Sequence, residues 1–181
     1  MNQKLLFFGI PGSGKGTQAK LLKEKGFIHI STGDLIRKAF KENDPLISEF
    51  KETINSGGFL PDELIFKLIE RSVLDSSNYV LDGAVRTIEQ AKYALEKNLI
   101  NKVIFFTLTK EIAEKRLLNR NEGREDDNEE SIQKRFVEYN KQTLPIIDFL
   151  KEKGLDLIEI DASHTISEVN EIVQKVLSLK D

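Results

Sequence analysis

The chain has 181 residues, of which 39% are hydrophobic and 31% charged, and its formal net charge is −3 at pH 7. These values are typical of one soluble globular domain, and the slightly negative charge argues against a nucleic acid or an anionic membrane as partner. The absence of cysteine excludes disulfides and thiolate metal sites, and no apolar run is long enough for a signal or membrane segment. We therefore expect a cytoplasmic protein, and its single compact domain predicts a monomer.

Short apolar runs alternate with longer helical patterns along the chain. Strands are predicted at Lys4–Gly9, Phe27–Ile30, Tyr79–Asp82, Lys102–Leu108 and Asp156–Ile160. Helices are predicted at Gly14–Lys25, Gly33–Glu42, Pro45–Ser56, Pro61–Leu74, Ile88–Lys97, Lys110–Asn121, Asn128–Glu152 and Ile166–Leu179. Continuous apolar strands separated by helices predict an α/β fold, a five-stranded parallel sheet with helices on both faces. Ligands of such folds bind at the carboxyl ends of the strands.

Two segments and one proline depart from this alternation. Residues 31–60 hold two helical patterns with no strand between them, which predicts an inserted arm. Residues 119–128 are polar and contain a glycine, which predicts a short exposed loop, with Asp127 capping the helix that follows. Pro145 lies inside the last long helical pattern and is expected to kink or break it.

A glycine-rich turn follows the first predicted strand. Residues 9–17 read Gly-Ile-Pro-Gly-Ser-Gly-Lys-Gly-Thr, which is typical of a phosphate-binding loop. Glycines let backbone N–H groups point inward toward a polyphosphate, and Lys15 adds a positive charge. The general pattern has Ser or Thr directly after the lysine, whereas here Gly16 holds that place and Thr17 follows. A turn that merely connects strand to helix is the alternative interpretation.

Charged side chains near predicted strand ends and loops are the other candidates. Arginines suit phosphate ligands because their N–H groups pair with phosphate oxygens, although any single arginine could equally be a solvated surface residue. The candidate arginines are Arg37, Arg86, Arg120, Arg124 and Arg135, and Arg116 is expected to share a helix face with Arg120. Asp82 ends a buried strand, where it could either bind hydrated Mg²⁺ or belong to an ordinary turn. Neither His29 nor His164 has a sequence partner that indicates acid–base chemistry.

Taken together, these motifs resemble the adenylate kinase family over nearly the whole chain. Residues 9–18 match the family's own form of the loop, including the glycine after the lysine. Residues 31–37 (Ser-Thr-Gly-Asp-Leu-Ile-Arg) resemble the start of its monophosphate-binding arm. Residues 82–91 resemble its next signature, and residues 123–130 with Arg135 resemble its lid and the helix after it. The resemblance implies the P-loop nucleoside-triphosphate hydrolase-like fold.

The resemblance also implies an activity and a domain plan. The activity is Mg²⁺-dependent, reversible phosphoryl transfer from ATP to AMP, which gives two ADP. Residues 1–181 would form a single kinase domain, in which 31–60 are the monophosphate arm, 119–128 the short lid and the remainder the core. The short lid without cysteines implies that no structural zinc is bound. ATP, AMP and ADP would be the small-molecule partners.

Site roles are implied residue by residue. ATP would be bound by Gly12, Ser13, Gly14, Lys15, Gly16, Thr17, Arg116, Arg120 and the backbone near His164. AMP would be bound by Thr32, Arg37, Gly58, Phe59, Leu60, Gly83, Arg86, Gln90, Arg124 and Arg135. Lys15, Arg86, Arg120, Arg124 and Arg135 would be the catalytic residues. Asp82 and Asp34 would bind Mg²⁺ through water.

One departure from the family pattern leaves alternatives open. The family usually has Phe-Pro where this chain has Ala84-Val85, which predicts weaker or less selective monophosphate binding. A UMP or CMP kinase is the nearest alternative, although Thr32 and Gln90 favour adenine. A nucleotide-binding module without catalysis is a second alternative, which the number of arginines disfavours. The guanine-reading pattern of GTPases fails at Ile104, the last position of residues 101–104.

Overall fold

The computed structural model describes residues 2–48, 50, 60–73, 77–119 and 129–179. Its strands are β1 (Gln3–Gly9), β2 (Ile28–Ser31), β3 (Asn78–Asp82), β4 (Lys102–Thr107) and β5 (Asp156–Asp161). They form one parallel sheet in the order β2-β3-β1-β4-β5. Every predicted strand is confirmed, and no strand end moves by more than one residue.

Helices connect and flank the strands. They are α1 (Lys15–Leu21), α2 (Thr32–Lys41), α3 (Pro45–Ser48), α4 (Asp62–Val73), α5 (Ile88–Glu96), α6 (Lys110–Leu118), α7 (Glu129–Glu138), α8 (Pro145–Glu152) and α9 (Ile166–Val176). A 3₁₀ turn at Leu22–Lys25 follows α1, so the predicted first helix is α-helical only to Leu21. Side-chain oxygens of Ser31, Thr87 and Thr165 cap the starts of α2, α5 and α9. Most of the predicted helix beyond Ser48 lies outside the described residues.

The long helical pattern around Pro145 is interrupted, as predicted. The α-helix α7 ends at Glu138, a π-helical segment covers Tyr139–Thr143, and α8 begins at Pro145. Proline has no N–H to donate and its ring blocks the preceding turn, so it is tolerated at the first position of a helix. The predicted cap Asp127 lies outside the described residues.

Apolar side chains cover both faces of the sheet. Alternate residues of β1 point to opposite sides, so Leu6 and Phe8 join one core cluster while Leu5 and Phe7 join the other. The first cluster includes buried residues of α4 to α8, and the second includes those of α1 and α9. The α/β fold class is therefore confirmed. Within the described ranges, no helix is both long and apolar enough to cross a bilayer.

Candidate functional site

The glycine-rich turn connects β1 to α1 at the carboxyl edge of the sheet. Its hydrogen bond from the Ser13 N–H to the Ile10 carbonyl measures 3.1 Å. Gly12 has a φ of +89°, and a Cβ on it would lie 2.6 Å from the Ala113 carbonyl oxygen of α6. A side chain at Gly12 would therefore be both strained and blocked by backbone. The turn is seated directly against α6.

Lys15, the first residue of α1, folds back over the turn. Its Nζ donates to the Gly9 carbonyl at 2.7 Å, the Ile10 carbonyl at 3.1 Å and the Ser13 Oγ at 3.2 Å. These three contacts hold a positive charge above the N-terminus of α1, where the helix dipole also favours an anion. The turn, the helix and the lysine together can stabilise a phosphate group.

Asp82 stands at the end of β3, close to this lysine. In the parallel register Asp82 lies opposite Phe7 of β1 and Ser31 of β2. Burial would raise the pKa of the Asp82 carboxyl. A hydrogen bond from His29 and the positive charges of Lys15, His29 and Arg86 outweigh that effect, so the pKa is lowered. The carboxylate is therefore kept ionised among cationic groups.

Gly16, which holds the place of Ser or Thr in the general phosphate-loop pattern, lies next to Asp82. A Cβ on Gly16 would lie 3.3 Å from Oδ2 of Asp82, tighter than most contacts of this kind. A hydroxyl side chain at this place would crowd the carboxylate. Glycine leaves the space in front of Asp82 open.

Two arginines predicted to act on phosphate lie within electrostatic range of each other. Arg86 reaches solvent, and its Nε donates to the Gly83 carbonyl at 3.2 Å. The pKa of Arg86 is lowered, first by the protein atoms that surround it and then by the charge of Arg135. Asp82 and Glu138 act in the opposite direction. An anionic ligand between Arg86 and Arg135 would relieve their repulsion.

The predicted adenine-facing residues are buried. Thr32, the first residue of α2, is 4% exposed, and its hydroxyl is one of two buried side-chain atoms in the described part of the chain that lack a hydrogen-bond partner. Gln90, in α5, is 5% exposed, and Leu60 is also buried. The Gln90 amide accepts from the Arg86 N–H and donates to Asp62, each at 2.6 Å.

Asp34 and Arg37 form an ion pair on the exposed surface of α2. They are three residues apart, so both side chains lie on one helix face. The structure thus pairs the Asp34 carboxylate with Arg37. Its predicted role beside Asp82 stays a prediction.

The predicted ATP-base residues meet near the end of β5. A guanidinium nitrogen of Arg116 donates to the carbonyls of Ser163 and His164, at 3.4 Å each. The Ser163 N–H donates to Asp161 at 2.8 Å, and this bond is the first cause of the lowered pKa of Asp161. The structure therefore brings together a cation and a backbone segment that the sequence separates widely.

The predicted site residues differ in whether they fall within the described ranges. Gly58, Phe59, Arg120 and Arg124 lie outside the described residues, as does all of the predicted lid except Asn119. Ala84 and Val85 are described, and both are buried in the core cluster of the sheet face that carries α4 to α8. The departure from the family pattern is therefore packed into the core.

Sequence reasoning missed two residues of this site. His29, which was given no partner, lies with its Nε2 3.4 Å from Oδ2 of Asp82. Asp82 is paired with Ser31 of β2, and His29 points to the same face of β2 as Ser31. The contact between His29 and Asp82 therefore requires β2 and β3 to be neighbours, which sequence order does not reveal. Asp62 was also missed, although its place in the first turn of the predicted helix Pro61–Leu74 could be read from the sequence.

Comparison with known proteins supplies independent findings. A family model described as adenylate kinase matches residues 7–155. An adenylate kinase of Encephalitozoon cuniculi is 40% identical over 152 residues, which cover 83% of this chain and 85% of the relative. An adenylate kinase of Leptospira biflexa is 39% identical, with coverage of 96% and 98%. A protein named UMP-CMP kinase 1, from Oryza sativa, is 38% identical and covers 94% of this chain and 72% of its own.

Proposed function

The chain belongs to the adenylate kinase family, and on that premise we propose that it transfers a phosphoryl group reversibly from ATP to AMP, giving two ADP. The observation that carries the proposal is the cationic cluster at the carboxyl edge of the sheet. Lys15 and Arg86 both act on Asp82, and Arg135 acts on Arg86. Such a cluster neutralises the charge of two phosphate chains that must approach each other.

The transfer itself places modest demands on the protein. The bond from the γ-phosphorus to the bridging oxygen of ATP breaks, and a bond to an oxygen of the AMP phosphate forms. That acceptor oxygen is already anionic at neutral pH, so no general base is needed. Lys15 would stabilise charge on the ATP phosphates, while Arg86 and Arg135 hold the AMP phosphate and the transferring group in line. Gly12 through Thr17 would supply the loop around the phosphates.

The residues around Asp82 fit a magnesium ion held through water. Within the described ranges, no three His, Asp or Glu side chains are arranged to bind a metal directly. Magnesium usually keeps several waters and binds one or two carboxylates together with substrate phosphates, which a single ionised Asp82 facing Gly16 suits. When bound, the ion would neutralise charge on the ATP phosphates. Asp34 is the predicted second carboxylate.

The monophosphate side is proposed from burial and unmet hydrogen bonding. The buried Thr32 hydroxyl lacks a protein partner, so a polar ligand atom would stabilise it. Arg37 and Arg86 would bind the AMP phosphate, and Gly58, Phe59, Leu60 and Gly83 would line the site. Gln90 would contact the adenine. Arg120, Arg124, Arg116 and the His164 backbone complete the proposal on the ATP and lid side.

Three further parts of the proposal come from the family. Residues 31–60 and 119–128 are the proposed arm and lid, which would close over both substrates and exclude water. We also propose that the protein works as a monomer in the cytoplasm. Nucleic acid and membranes are not expected partners.

A UMP or CMP kinase remains the second candidate, because a relative of that name matches about as well as the adenylate kinases do. Overall identity therefore does not decide the acceptor base. The residues do so better, since Thr32 and Gln90 favour adenine by resemblance.

A coupled assay that offers AMP, UMP, CMP and GMP in turn, with ATP and Mg²⁺, tests the proposal. We expect rapid ADP formation with AMP. A preference for a pyrimidine monophosphate would move the chain to the second candidate, and no transfer to any acceptor would contradict the catalytic proposal.

A further inference from the structure

The Gln90 side-chain amide is held from two sides by chemically different groups. The Arg86 backbone N–H donates to Oε1 at 2.6 Å, and Nε2 donates to Oδ1 of Asp62 at 2.6 Å. A backbone N–H can only donate, and a carboxylate oxygen accepts. Only one of the two amide orientations satisfies both neighbours, so the network assigns oxygen and nitrogen unambiguously.

The remaining hydrogen-bonding capacity of this amide has a defined polarity. A primary amide has two N–H donors and two oxygen lone pairs, and the network uses one of each. One lone pair on Oε1 and one N–H on Nε2 are left for a ligand. That pair matches a base edge that donates at one position and accepts at the next, as the 6-amino group and N1 of adenine do. The reversed amide would match a 6-oxo purine, whose edge accepts at O6 and donates at N1.

Asp62 is itself fixed between two helices. It is half-buried in the first turn of α4, and its Oδ2 lies 3.5 Å from the Thr87 hydroxyl. The same hydroxyl accepts the Gln90 backbone N–H at 3.1 Å, which caps α5. The Thr87 hydroxyl therefore links the Asp62 carboxylate to the backbone of Gln90, the residue whose side chain Asp62 orients.

We propose that Asp62 is a positioning residue that sets base selectivity, by holding the Gln90 amide in the orientation that fits a 6-amino purine and rejects a 6-oxo purine. This inference rests on the proposed function and deepens it, since the resemblance assigns Gln90 but not Asp62 to the base. Reversing the amide would place Nε2 against the Arg86 N–H and Oε1 against the carboxylate. Because Gln90 is 5% exposed, water cannot readily compensate those two repulsive contacts.

The test compares AMP with inosine monophosphate (IMP), a 6-oxo purine nucleotide of nearly the same size. The variants are Asp62→Leu, which removes the acceptor, and Asp62→Asn, which can accept from or donate to Gln90. Glu63→Gln is the matched control, because it removes an exposed carboxylate from the same helix turn. For each protein, kcat and KM are measured for AMP, IMP and ATP, with thermal melting as the check on folding.

The expected result is a change in the ratio of kcat/KM for AMP to that for IMP. We expect Asp62→Leu to lower this ratio about 10- to 100-fold, the effect of one unmet buried hydrogen bond. Asp62→Asn should lie between it and the wild type, and Glu63→Gln should match the wild type. The KM for ATP should stay within about twofold, since other elements bind the donor. A merely structural role would lower both acceptor rates together and leave the ratio unchanged.

Failure of the inference and failure of the proposed function are distinguishable. If the wild type phosphorylates AMP and the ratio is unchanged in both Asp62 variants, the inference is wrong and the proposed function stands. If the wild type does not phosphorylate AMP, both are wrong. Should Asp62→Leu fail to fold, Asp62→Ala, which also removes the acceptor, takes its place, and an unchanged ratio in Asp62→Ala overturns the inference.

Discussion

The two ends of the candidate site differ in the kind of contact that holds them, backbone at one end and side chain at the other. At the proposed triphosphate end the contacts are made with backbone: Gly12 lies against the α6 backbone, and Lys15 is held by carbonyls of the loop. At the monophosphate end, side chains hold other side chains, as Gln90 with Asp62 and Arg37 with Asp34 do. A phosphate loop built from backbone contacts a feature that every nucleoside triphosphate shares. An amide held by a carboxylate can distinguish one base from another.

The largest expected effect is the loss of the Lys15 charge at the triphosphate end. We expect Lys15→Met to lower kcat about 100- to 1,000-fold, the usual cost of removing one group that stabilises transition-state charge. The loss should be equal for every acceptor monophosphate, because Lys15 is proposed to act on the donor phosphates. Steady-state kinetics with AMP and UMP measure it.

Lys20→Met is the control for that variant, because it removes the same charge from an exposed position of α1. It should retain wild-type rates. A Lys15→Met enzyme that changed its preference between acceptors would contradict the proposal that the two ends of the site act separately.

Arg86→Lys tests the monophosphate end. Lysine keeps the charge but loses the planar fork, so we expect the KM for AMP to rise about 10-fold while the KM for ATP stays unchanged. Arg71→Lys is the control, since Arg71 pairs with Asp44 on the surface. An equal rise in both KM values would show that Arg86 serves the two substrates alike.

Gly16→Ser should have a smaller effect, at the boundary between the two ends. Its Cβ must fit 3.3 Å from the Asp82 carboxylate, and its hydroxyl would take a lone pair of that group. We expect kcat/KM for ATP to fall about 2- to 10-fold, the cost of a modest local distortion. Gly16→Ala, which adds no hydroxyl, should lose less. A serine variant as active as the wild type would contradict the proposed role of the open space.

Asp44→Asn should have the smallest effect and should change stability alone. The Leu46 N–H donates to Asp44 at 2.9 Å and Arg71 donates at 3.1 Å, so Asp44 ties the start of α3 to α4. The Leu46 bond is the main cause of the lowered Asp44 pKa, with burial opposing it and Arg71 adding to it.

Because the folded protein has the lower pKa, the carboxylate stabilises the fold above its ordinary pKa of 3.8, and this stability is lost as pH falls through the folded pKa. We therefore expect Asp44→Asn to melt below the wild type at pH 7, and the gap to close in acid. Asp148→Asn, at an exposed position, is the control. A melting gap that did not change with pH would show that the Asp44 charge is unimportant.

Sequence reasoning succeeded where local pattern determines structure. The strands could be predicted to within one residue because each is a continuous apolar run bounded by turn residues. Pro145 could be predicted to interrupt a helix because its effect is local. The strand order could not be predicted, because it depends on how the connections cross the sheet, and the His29 contact with Asp82 depends on that order. The π-helical segment before Pro145 carried no separate signal.

The site divides in the same way. The phosphate loop could be recognised because its backbone conformation restricts the residue types, most strictly at Gly12. The contact between Asp62 and Gln90 could not, since it joins residues 28 positions apart on different helices. Neither residue type is unusual where it stands. A contact between two side chains that are distant in the chain produces no local pattern in a single sequence.

The helix α6 contacts two parts of the candidate site, the glycine-rich turn and the backbone after β5. Gly12 contacts α6 at Ala113, and Arg116 lies three residues further along the same helix, about 4.5 Å along its axis. The contact at the first point positions the phosphate loop, and the guanidinium at the second reaches the backbone proposed to lie beside the donor base. Because both contacts are made by one helix, a shift of α6 against the sheet would move both of them together. The proposed distance between the donor phosphates and the donor base therefore depends on the position of one helix.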